Sequence, residues 1–78
     1  MDWRDYIEQR PEIMMGKPVI KGTRLTVEFI LERLGDGWSP EALTQSYPDL
    51  QPEHIQAAQA YAAACLALDE TVFRETGT

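Results

Sequence analysis

One cysteine, Cys65, and one histidine, His54, stand in a chain of 78 residues, and these scarcities exclude several chemistries at once. A lone thiol closes no internal disulfide and fills no multi-cysteine zinc site, so Cys65, set among alanines, reads as a small buried hydrophobe. A lone imidazole would need distant carboxylates to hold a metal, and in an early helical turn it reads as a surface polar group. Ser39 and Ser46 have no neighbouring base and fit capping and surface placement better than nucleophilic catalysis. No catalytic constellation, metal site or cofactor is therefore expected, and the chain reads as non-enzymatic. No apolar stretch approaches the roughly 20 residues that span a bilayer, and the opening Met1-Asp2-Trp3-Arg4-Asp5 is too polar for a signal peptide. A cytoplasmic protein with no membrane contact is the expectation.

Positive charge is also missing where it would matter. Between Arg33 and Arg74 there is neither lysine nor arginine. Residues 1 to 33 hold six cations against six anions, whereas residues 34 to 78 hold only Arg74 against seven carboxylates, so the whole formal charge of −6 is C-terminal. Such a surface repels a phosphate backbone and attracts a basic partner. Hydrophobic residues at 44% and charged residues at 26% nevertheless form an ordinary globular balance, which predicts a folded core. A chain of this length buries only roughly 60% of its unfolded surface, which favours association. No internal repeat or low-complexity linker divides it, so residues 1–78 are read as one domain.

What is present is concentrated in Gly16-Lys17-Pro18-Val19-Ile20-Lys21-Gly22-Thr23-Arg24. Pro18 fixes its own φ and pushes Lys17 toward extended conformations, and Gly16 and Gly22 tolerate positive φ. Val19 and Ile20 are a β-prone pair, and Arg24-Leu25-Thr26 resumes an extended pattern. The stretch predicts a hairpin-like arm within residues 1–26, with Tyr6-Ile7-Glu8 pairing to Arg24-Leu25-Thr26 as a small two-stranded sheet. Lys17, Lys21 and Arg24 would ride on it as a cationic cluster suited to phosphate oxygens or an acidic protein surface. The plainer alternative is a solvated turn in which the lysines serve solubility.

A three-helix core is predicted over residues 27–70, followed by a tail over 71–78. Thr26 is a candidate N-cap, and Val27, Ile30, Leu31 and Leu34 follow at helical spacing until Gly35-Asp36-Gly37. Ser39-Pro40-Glu41 starts a second, short helix anchored by Leu43 and Tyr47, and Pro48 ends it. Gln51-Pro52-Glu53 starts the third, which runs to about Asp69 or beyond. The last two helices have the outline of a helix-turn-helix, an outline that many helical hairpins share. Residues 57–68 are apolar except at Gln59, more than two short neighbours can cover. Tyr61, Ala64, Leu66 and Leu68 are therefore candidate contacts for a second copy or a partner. The plainer alternative is that alanines favour helix and tolerate exposure.

Pro11-Glu12-Ile13, Gly16 through Arg24, Val27, Ile30, Gly37, Ser39-Pro40-Glu41, Tyr47-Pro48-Asp49-Leu50, Ile55 and Tyr61 together resemble the bacterial family called domain of unknown function 433. The resemblance covers most of the chain. The glycine-framed string with a downstream Tyr-Pro-Asp-Leu is a specific combination; Met15 departs from it, standing where the family usually carries a second glycine. The resemblance implies a mainly α, homeodomain-like domain, and a role as antitoxin beside a PIN-like ribonuclease toxin. The leading expectation is thus an antitoxin that masks its ribonuclease partner by direct contact.

Two other roles remain open: a dimeric helix-turn-helix regulator of promoter DNA, and a structural oligomerisation module. For DNA, His54, Gln56 and Gln59 are candidate base readers at the start of the third helix. Phosphate anchoring would then fall to Lys17, Lys21 and Arg24 of a homodimer, because the helices themselves supply no cation there.

Overall fold

The structure is a computed structural model that describes residues 1–68. A 3₁₀ turn at Trp3–Asp5 leads into strand β1 (Ile7–Glu8), and a second such turn at Met14–Gly16 leads into strand β2 (Val19–Ile20). Three helices follow: α1 (Val27–Gly35), α2 (Pro40–Ser46) and α3 (Pro52–Leu68). The class is the mainly α one expected, with three helices and a short antiparallel pair of strands. The expected tail, together with the end expected for α3 near Asp69, lies outside the described residues.

The sheet is real, but its partners differ from expectation. β1 pairs antiparallel with β2, Ile7 opposite Ile20 and Glu8 opposite Val19, and Thr26 bridges to Val19 from the other side. Arg24-Leu25-Thr26 therefore does not reach Tyr6-Ile7-Glu8, because Val19 and Ile20 lie between them. The reason is burial: both residues are fully enclosed, and the central position gives their backbone partners on two sides. Ile20 N–H donates to the Leu25 carbonyl at 2.9 Å, and Lys21 N–H donates to that of Tyr6 at 2.9 Å. The arm is a hairpin, but one folded into the body of the domain.

Caps fall where side-chain chemistry places them. Thr26 Oγ1 accepts from Phe29 N–H at 3.0 Å to start α1, and Ser39 Oγ accepts from Ala42 N–H at 3.0 Å to start α2 with Pro40 as first residue. At α3 the weak cap Gln51 is rescued from the other direction, since its N–H donates to His54 Nδ1 at 3.0 Å. That contact is one half of a capping box, with histidine in place of the usual glutamate. The core gathers Ile7, Ile20, Val27, Ile30, Leu43, Leu50, Ile55, Ala57 and Ala58, with Leu34, Tyr47 and Tyr61 half-buried around it.

Met14, Met15 and Gly16 take successive positive φ values of 47°, 57° and 83°. For an L-residue that conformation costs roughly 1–2 kcal/mol, and Met15, 93% exposed, recovers little of it by packing. Met15→Gly is expected to raise stability by about 0.5–1 kcal/mol, the relieved strain exceeding the added entropy of the unfolded chain. Urea unfolding measures it; a lower midpoint for the glycine variant would contradict the strain.

Candidate functional site

The turn Lys21-Gly22-Thr23-Arg24 joins β2 to the Leu25–Thr26 segment, and it is rigid by construction. Gly22 takes φ 77°, Thr23 N–H donates to the Ile20 carbonyl at 3.0 Å, and the Thr23 hydroxyl donates to the same oxygen at 2.8 Å while accepting from Leu25 N–H. Glu8 ties the turn to β1: Oε2 accepts from Gly22 N–H at 3.2 Å and Oε1 meets Arg10 Nε at 3.3 Å. Between them opens a cleft of about 620 Å³, lined by Glu8, Arg10, Ile13 and the four turn residues.

Of the three cations expected to cluster, Lys21 and Arg24 line this cleft and Lys17 does not. Lys21 and Arg24 share the turn, are exposed, and make no ion pair among the described residues. Lys17 lies apart from the cleft, its Nζ 3.0 Å from Glu28 Oε1 on α1. Arg10 takes its place as the third cation lining the cleft. Sequence reasoning missed Arg10, although its spacing from Glu8 was a usable signal: residues two apart share one side of an extended chain. Arg24 also borders a shallow depression that contains Lys17, Glu28 and Glu32, so it lies at the junction of the basic and acidic surfaces.

The candidate base readers separate as well. Gln56 and Gln59 are exposed on α3, whereas His54 is half-buried, engaged by Gln51 N–H and edge-to-face with Tyr6 at 5.9 Å. His54 thus caps the start of α3 through Nδ1. Among the described residues no group of three His, Cys, Asp or Glu side chains could hold a metal ion. No described helix is long and apolar enough to cross a membrane.

Of the four candidate interface residues on α3, Tyr61 and Ala64 are half-buried. The Tyr61 ring packs edge-to-face on Trp3 at 4.8 Å. Burial, and after it the neighbouring Cys65 thiol, pushes the Tyr61 hydroxyl above its ordinary pKa. Leu66 and Leu68 are 65% and 91% exposed. Cys65, expected to be buried, is exposed, because α3 extends past its neighbours and leaves most of its last turns uncovered among the described residues.

Three short helices behind a two-stranded clasp define a small, mainly helical domain with one cationic turn and one exposed apolar helix end. A family model described as "Protein of unknown function (DUF433)" matches residues 7–62, and the chain belongs to that family. It is 34% identical over 61 residues to the uncharacterised protein y4eO of Sinorhizobium fredii (strain NBRC 101917 / NGR234). That match covers 78% of this chain but 28% of the relative, so the chain spans under a third of that protein's length. Its fold is similar to the crystal structure of a DUF433 member protein from Anabaena variabilis ATCC 29413, with a TM-score of 0.75 at 25% identity, covering 96% of this chain and 71% of that one.

Proposed function

We propose that this protein is a non-enzymatic binding protein, the antitoxin of a type II toxin-antitoxin pair, which neutralises a PIN-like ribonuclease by direct contact. The observation that carries the proposal is the pair Lys21 and Arg24: two cations without ion-pair partners among the described residues, on a turn already fixed by its own hydrogen bonds. Charged side chains on a pre-ordered turn lose less backbone entropy on binding than the same residues on a floppy loop. An arginine and a lysine side by side suit a surface where carboxylates cluster, as they do where a PIN-like nuclease holds its metals. The family resemblance supplies the identity of the partner; the charge pattern supplies the manner of contact.

The exposed face of α3, with Gln56 and Gln59, favours a second reading as a promoter-binding regulator. It is weaker, because α2 and α3 carry no lysine or arginine for phosphates, and the reader His54 is occupied. Co-expression with the product of the adjacent gene is expected to give a stable complex in which ribonuclease activity is abolished. A toxin-like neighbour that stays fully active and does not co-purify would end the antitoxin proposal. Salt-sensitive binding to the chain's own promoter in its absence would favour the regulator.

A further inference from the structure

Between α1 and the second half of α3 runs a groove of about 600 Å³, on a different part of the surface from the cationic cleft. Its α3 wall is apolar and uncharged, formed by Tyr61, Ala62, Cys65 and Leu66, and no ionisable acid or base other than Tyr61 and Cys65 occurs on that helix between Ile55 and Leu68. Its α1 wall presents Leu31 toward the same space but carries Glu28 and Glu32, one turn apart on one face. Glu28 is met by Lys17 at 3.0 Å, whereas Glu32 makes no ion pair among the described residues. One wall is thus greasy, and the other carries two carboxylates, of which Glu32 is unpaired among the described residues.

We infer that this groove is the docking site for an amphipathic helix of another protein, one that places leucine-like residues against α3 and lysines or arginines along α1. The chemistry matches the helix-in-groove mode of recognition, in which apolar anchors recur at i, i+3, i+4 and i+7 and flanking charges set the orientation. Charge decides against α3 of a second copy as the occupant. A copied α3 brings no lysine or arginine of its own, and its next charged residues are Asp69 and Glu70, so it would set acid against the acidic wall. The chain's own residues 69–78 contain one cation, Arg74, against three carboxylates, and match the wall no better. The inference does not depend on a ribonuclease partner, and it stands or falls separately from the cationic turn.

The test uses the full chain and two labelled peptides of roughly 14 residues, about four helical turns. Both carry leucines on one face; one flanks them with lysines, the other with glutamates. The lysine peptide is expected to bind saturably and at least about tenfold more tightly than the glutamate peptide at low salt. Cys65, the only cysteine and a groove residue, gives a position-specific readout. Saturating lysine peptide should slow its alkylation by a maleimide at least about fivefold, since a covered thiol is inaccessible. Glu28→Lys with Glu32→Lys should abolish or invert the preference between peptides, and Leu66→Ser should weaken both; all three side chains are exposed, so the fold survives. Equal affinity for the two peptides, or an unchanged alkylation rate under saturation, would overturn the inference. So would a chain dimer by sedimentation that Leu66→Ser dissociates and the lysine peptide cannot displace, which assigns the groove to a second copy. Binding that appears only in a Val72→Asp, Phe73→Asp variant would likewise assign it to the chain's own C-terminal residues.

Discussion

Ile30→Ala is expected to lower the stability of this protein by about 2–5 kcal/mol, the range for truncating a fully buried isoleucine. Ile30 is 0% exposed, lies on the inward face of α1, and belongs to the cluster that joins β1 and β2 to all three helices. Loss of its side chain removes apolar burial and leaves a cavity that three short helices can close only in part. A domain of this size has a total stability of roughly 4–12 kcal/mol, at 0.05–0.15 kcal/mol per residue, so the loss is a large fraction of the whole. Ile55→Ala, in a residue 2% exposed on α3, should behave alike. Leu68→Ala is the contrast: a residue 91% exposed should change stability by less than about 0.5 kcal/mol. Urea unfolding followed by circular dichroism reads all three. An unchanged midpoint for Ile30→Ala would contradict the packing of α1 on the core.

Reversing both charges of the turn, Lys21→Glu with Arg24→Glu, should relieve inhibition of the proposed ribonuclease by at least about a hundredfold. Removing one partner of a desolvated charge pair costs about 2–5 kcal/mol in an interface, and each 1.4 kcal/mol is a factor of ten. Reversal adds repulsion to that loss. The fold should be indifferent, because both side chains are exposed and the turn is held by Gly22, Thr23 and Glu8. Lys17→Glu serves as the control: Lys17 is tied to Glu28 away from the cleft, so the variant should keep its inhibitory power. Full inhibition by the double reversal would place the contact elsewhere, with the acidic C-terminal half on a basic RNA-binding face of the nuclease.

Much of the helical framework was legible in the chain because its signals are local. Thr26, Ser39 and Pro40 announce helix starts within three residues of the amides they serve, and Val27, Ile30 and Leu43 are buried as their spacing predicts, with Leu34 half-buried beside them. The sheet was only half legible. Val19 and Ile20 carry β propensity, but which segment flanks them depends on long-range closure that no local pattern encodes, so local pattern alone pairs Arg24–Thr26 with β1 where the structure sets β2 between them. The same limit applies to the site. Lys17 and Lys21 are four apart in sequence, yet the extended run from Pro18 carries them to different neighbours, while Arg10 lines the cleft from β1's far end. Cys65 was misplaced because an apolar run says that a helix needs cover, not that it has it.

Thr26 holds two elements at once: it bridges Val19 at the edge of the ladder and caps α1 with its hydroxyl, while the next amide, Val27 N–H, donates to the Pro18 carbonyl at 3.0 Å. Lifting the hairpin out of the domain therefore uncaps the helix, and fraying the helix start loosens the hairpin. The two are expected to open together, which matched amide-exchange rates at Val27 and Phe29 would show. A molecule that gripped Lys21 and Arg24 only in the closed form would shift that opening equilibrium and steady the first turn of α1 without touching it.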